Sequence, residues 1–105
     1  MNTKKLNQII SYYGEQDQKT KAIEELCELA TELTRDLIGN GNRENIIEEV
    51  ADCYNMLDQL VIIYGIEQAV QDVRTQKIQR TLERIDSEGY DDRIPSQTYE
   101  WGIEK

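Results

Sequence analysis

Two pairs of acidic residues could do chemistry together: Glu25 with Glu28, and Glu49 with Asp52. Each pair has i, i+3 spacing, which on a helix puts both carboxylates on one face. Each segment therefore presents a two-carboxylate claw. The stretch between them contains Gly39 and Gly41, enough for a turn that sends the second helix back antiparallel to the first. Four carboxylates then converge across one groove. An all-oxygen donor set of this kind suits Mg²⁺ or Mn²⁺ rather than zinc or copper.

The helical wheel separates these acids from an ordinary solvated face. With an advance of about 100° per residue, Glu25 lies about 40° from Leu29, at the edge of an apolar stripe, and Glu28 lies about 60° further toward the polar side. Glu49 falls between Met56 and Leu60, inside the apolar stripe of its own helix, and Asp52 flanks it. A carboxylate on a packing face costs several kcal/mol unless it is paired or bound to metal. No lysine or arginine stands three or four residues from Glu49, so a divalent cation is the economical partner. Asn55, one turn beyond Asp52, is placed to orient a ligand water. Glu24, Glu32, Glu44 and Glu48 read instead as solvated charges.

Four helices are predicted to position the claws, which makes the chain all-α. Residues 2–13 form the first, with Leu6, Ile9, Ile10 and Tyr13 at helical spacing and Gly14 as a stop. The second runs from about Gln18 to Ile38, with Asp17 as its N-cap and a stripe of Ala22, Ile23, Leu26, Leu29, Ala30, Leu33 and Leu37. Asn42 caps the third, which continues to about Tyr64 and buries Ile46, Ile47, Val50, Tyr54, Leu57, Leu60 and Val61; Gly65 ends it. The fourth spans roughly 67–86, with Ala69, Val70, Val73, Ile78, Leu82 and Ile85 inward. Period-2 alternation is absent, so no strand competes. Residues 1–86 read as one helical domain and 87–105 as a C-terminal tail. Tyr90, Ile94, Tyr99 and Trp101 suggest that part of the tail packs on the bundle or on a partner subunit.

Composition narrows the function classes. The 105 residues carry 21 acids against 12 bases, a formal net charge of −9, which argues against the basic footprint of a nucleic-acid-binding surface. The chain has no histidine, which removes histidine-based zinc sites and Ser-His-Asp triads. Cys27 and Cys53 lack CxxC spacing and read as reduced small hydrophobes. No apolar run is long enough to span a membrane and no signal peptide is evident, so a cytoplasmic protein is expected. A small core in a chain this short is expected to be completed by oligomerisation.

A basic stripe of Lys77, Arg80 and Arg84 falls within about 60° on the fourth helix and suits a phosphate ligand. Lys21, one turn before Glu25, is a further candidate for that task. Tyr12 and Tyr13 could stack on a base, as could Tyr54, Tyr64 or Trp101.

The double claw, with EELCEL around the first pair and EEVADCYNML around the second, resembles the MazG-like all-α nucleoside triphosphate pyrophosphohydrolases over roughly residues 18–85. The resemblance implies a helical homodimer or homotetramer that uses Mg²⁺ to split an NTP or dNTP into monophosphate and pyrophosphate, for nucleotide-pool cleaning or control. It implies that Glu25, Glu28, Glu49 and Asp52 hold metal, and that Glu25 or Glu28 accepts a proton from the attacking water. It also associates Lys77, Arg80 and Arg84 with the substrate's phosphates. One double claw indicates a single unit of this type, not a tandem form. The alternative is a non-catalytic module, either a nucleotide sensor or a structural helical adaptor.

Overall fold

Small polar residues and glycines punctuate the chain into helices. The computed structural model describes residues 1–88, which form α1 (Thr3–Tyr13), α2 (Glu15–Leu37), α3 (Arg43–Tyr64) and α4 (Glu67–Glu88), with no strand among the described residues. The Asn2 side chain accepts from the Lys5 amide and that of Asn42 from the Asn45 amide, each satisfying an orphan donor of a first turn. Gly65 ends α3 in the left-handed conformation, at φ 65°, where a Cβ would be strained.

α2 begins three residues before the predicted start. Gly14, at φ 94°, is both the C-cap of α1 and the N-cap of α2, so the second helix starts at once. Asp17 therefore lies inside the first turn, where its charge faces the positive helix end without capping it. α4 extends two residues past its predicted end. The calls on Tyr90, Ile94, Tyr99 and Trp101 fall outside the described residues.

The chain divides into two compact units, Met1–Glu67 and Gln68 onward. In the first, α2 and α3 pair as an antiparallel hairpin and α1 packs on both. Gly41 closes the α2–α3 turn against Asp36 so tightly that a Cβ there would collide with the Asp36 side chain and backbone.

The faces that pack differ from those the apolar stripes suggest. On α2 the buried residues are Gln18, Ala22, Glu25 and Glu32; on α3 they are Cys53, Met56 and Gln59. Ile23, Leu26, Leu33 and Leu37 are exposed on α2, and Ile47, Tyr54 and Leu57, expected to be buried, are exposed on α3. Ile46, Val50, Leu60 and Val61 are half-buried. Glu32, read as a solvated charge, is 8% exposed. The expected inward face of α4 is also corrected: no residue of that helix is buried, and Val73, Ile78, Leu82 and Ile85 stand exposed.

Geometry explains where the apolar residues went. On α2 the exposed stripe lies about 100° from the line facing α3; on α3 it lies about 120° from the line facing α2, in the same rotational sense. Because the helices are antiparallel, both stripes emerge on one side of the two-helix layer. α1 and the acidic groove occupy the other side.

Candidate metal centre

The α2–α3 register brings the two claws together rung by rung. The carboxyl of Glu25 faces that of Asp52 across the seam, and the carboxyl of Glu49 faces that of Glu28 one turn along. The Cys53 thiol donates to the Glu25 carbonyl at 3.4 Å, a third tie at this level. Carboxylate oxygens of Glu25, Glu49 and Asp52 all lie within 4.8 Å of one another. Glu28 stands outside this group of three, beside Glu49.

Burial and the neighbouring carboxylates make Glu25 and Glu49 resist ionisation. Glu25 is 5% exposed. Its pKa is raised by the hydrogen bond to Asp52, then by burial and by the charges of Asp52 and Glu28; Lys21 opposes the shift. Lys21 Nζ sits 3.4 Å from Glu25 Oε1 and 3.9 Å from Glu24 Oε2. The Glu49 carboxyl is pushed up to about 7, first by desolvation, then by the bond to Glu28 and the charges of Glu28, Glu25 and Asp52. Glu49 Oε2 is buried without a hydrogen-bond partner. The Cys53 thiol is pushed up by burial and by the surrounding carboxylates, which keeps it protonated and inert.

Two cavities border this cluster. A groove of about 810 Å³ is bounded by Glu25, Asp52 and Lys21, by Asn55, and by Leu6, Ile9 and Tyr13 of α1. A smaller pocket of about 340 Å³ is lined by Glu28, Glu49, Thr31, Glu32, Arg35 and Asn45. There Glu32 Oε2 accepts from Arg35 Nη1 at 2.8 Å, while Glu32 Oε1 is buried without a partner.

The remaining predicted site residues are distributed unevenly. Lys21, Asn55 and Tyr13 border the groove; Tyr12 is exposed and packs edge-on against Tyr13, with ring centroids 4.8 Å apart. Tyr54 is 66% exposed on the apolar side of the layer, and the ring of Tyr64 lies 4.6 Å under Lys19 Nζ. Lys77, Arg80 and Arg84 stand exposed on α4, in the second unit. Sequence reading passed over the buried Gln18 and Gln59, and took the buried Glu32 for a solvated charge. The register was the missing signal. Four residues from the Glu28–Glu49 rung it sets Glu32 level with Asn45; seven residues from Glu25–Asp52, the other way, it sets Gln18 level with Gln59.

Compared with protein-family models, with curated proteins and with solved structures, the chain finds no match in any of the three.

Proposed function

We propose that this protein hydrolyses a nucleoside triphosphate, NTP or dNTP, to the monophosphate and pyrophosphate, with Mg²⁺ (or Mn²⁺) held by the double claw. The observation that carries the reading is the rung-by-rung convergence of Glu25 with Asp52 and Glu28 with Glu49. The donor set fits a hard divalent cation: it is all carboxylate, and one buried oxygen, on Glu49, lacks a partner. Glu25, Glu49 and Asp52 would hold the ion. When bound, it lowers the pKa of water and offsets charge on the phosphates. Glu28, exposed at the edge of the cluster, and Glu25 are the candidates to take the proton from the attacking water. Lys21 would offer its ammonium to the phosphate chain in the groove, and the basic stripe of Lys77, Arg80 and Arg84 is a further candidate to bind phosphate. The sequence resemblance to MazG-like enzymes supports the same assignment.

The apolar side of the α2–α3 layer supports a homodimer or homotetramer, since Ile23, Leu26, Leu57 and Tyr54 together form too broad a patch for a monomer to leave in water. No described helix is long and apolar enough to cross a membrane.

The test is pyrophosphate release from a panel of canonical and modified nucleotides, with Mg²⁺ and with chelator. Pyrophosphate appearing only with Mg²⁺ is expected. Inorganic phosphate instead would mean that another bond is cut. Mg²⁺-dependent nucleotide binding without turnover would favour a sensor, and no binding a structural adaptor. Lys77→Ala and Arg80→Ala are expected to weaken triphosphate binding at unchanged helicity; normal binding by both would remove the basic stripe from the site.

A further inference from the structure

The groove has a second polar end that the carboxylates do not account for. Gln18 and Gln59 line it together with Glu25 and Asp52, and they are 7% and 3% exposed. Amides are rarely buried on a helix seam without a task, because each must satisfy two donors and an acceptor. Gln59 Nε2 donates only to the sulfur of Met56, at 3.7 Å, and Gln59 Oε1 is buried with no partner. Leaving such an acceptor unpaired costs about 1–3 kcal/mol, more than an apolar residue of similar shape would. The groove wall beside the amides is hydrophobic and aromatic: Leu6, Ile9 and Tyr13 of α1, with Tyr12 bracing Tyr13 edge-on.

We propose that Gln18 and Gln59 form the base-reading end of this groove, their two amides recognising a nucleobase edge that presents an N–H beside an acceptor. This rests on the reading that the groove takes a nucleoside triphosphate. Turned toward the groove, the Gln59 amide brings its otherwise unpaired Oε1 to accept the base N–H, and the Gln18 amide donates to the neighbouring oxygen or ring nitrogen. Tyr13 supplies the face on which the ring lies. Seven residues of helix, about 10 Å, separate these amides from the Glu25–Asp52 rung, which leaves room for a sugar between a base at one end and phosphates at the other. A groove of about 810 Å³ accommodates a ligand of that size. A site built to hydrogen-bond its ligand rejects analogues that cannot pair with it, so the glutamines would set base preference while the carboxylates act on the phosphates.

The experiment measures equilibrium binding of four α,β-imido nucleoside triphosphates and of inorganic tripolyphosphate, all with Mg²⁺, to the full chain and to Gln59→Met and Gln18→Met. Methionine keeps the side-chain length and removes the amide, and circular dichroism checks each fold; either variant alone suffices if the other does not fold. The wild type is expected to prefer one base by about 10-fold or more, and the variants to lose about 10–100-fold for that base while binding tripolyphosphate unchanged. Equal affinity for all bases, or an intact preference in the variants, overturns the base-reading role and leaves the triphosphate site standing. Failure of nucleotides and tripolyphosphate alike to bind overturns both.

Discussion

The two sides of the α2–α3 layer are built from the same two helices and carry opposite chemistry. One side joins α1 to a groove of carboxylates and amides; the other bears Ile23, Leu26, Leu33 and Leu37 from α2 with Ile47, Tyr54 and Leu57 from α3, all exposed. In most helical hairpins the apolar stripes face each other. Here the seam buries Gln18, Glu25, Glu32 and Gln59, residues that stabilise a fold poorly and bind ligands well. The comparison teaches that the most hydrophobic stripe of each helix lies off the seam, while the seam between them buries polar and charged side chains. The proposed second copy would pack on the apolar side.

The largest expected effect breaks the acidic side alone. Glu49→Gln keeps the shape of the seam and removes one charge. Pyrophosphate release should fall by about 100-fold or more, since even groups that only orient a metal's ligands carry effects of about 10–100-fold. Unchanged turnover would return Glu49 to a structural role.

Breaking the apolar side should leave that chemistry's residues in place and change the assembly. Leu57→Lys puts a charge at the middle of the exposed stripe. It should weaken self-association by about 2 kcal/mol or more, the scale of a central interface residue, so that light scattering reports a smaller species. A wild type that is monomeric at micromolar concentration would remove the assembly from the picture.

The two sides can be separated more finely by pH. The folded Glu49 carboxyl titrates at about 7 against 4.5 when free, so between those values the folded chain binds more protons than the unfolded one. The stabilising contribution is present below pH 4.5 and lost as pH rises to about 7. In chelator the melting temperature should therefore fall over that window. Glu25, whose pKa is also raised, adds in the same direction. Glu49→Gln should flatten much of the slope and melt at the same or a higher temperature than wild type above pH 7. Mg²⁺ should narrow or reverse that order, because it stabilises only the intact site strongly. Matching melting curves for the two proteins in both media would show that the cluster is not coupled to folding.

The smallest effect concerns the turn that sets the register for both sides. Asn42→Ala removes the side-chain cap on the Asn45 amide and should cost about 1 kcal/mol in urea denaturation. Arg35→Ala, which unpairs the buried Glu32, should cost about 1–2 kcal/mol, discounted because the arginine is half in water. An Arg35 variant of wild-type stability would mean that the ion pair contributes nothing measurable to the fold.

The sequence alone determined the helices and the claws. Local rules suffice for both: the caps at Asn42 and Gly65 depend on side chains and backbone within a few residues, and the i, i+3 spacing of Glu25 with Glu28 and Glu49 with Asp52 places each pair on one helix face whatever surrounds it. The same rules misplaced the start of α2, because Gly14 at positive φ lets two helices abut where a spacer was expected. What only the tertiary structure decided was which face of each helix turns inward. A wheel ranks faces by hydrophobicity and assumes that the most apolar one is buried within the chain. It has no knowledge of the register between α2 and α3, which joins Glu25 to Asp52, buries Glu32 and the two glutamines, and leaves Tyr54 and Leu57 outside. That register depends on packing between residues nearly 30 positions apart, and no local periodicity encodes it.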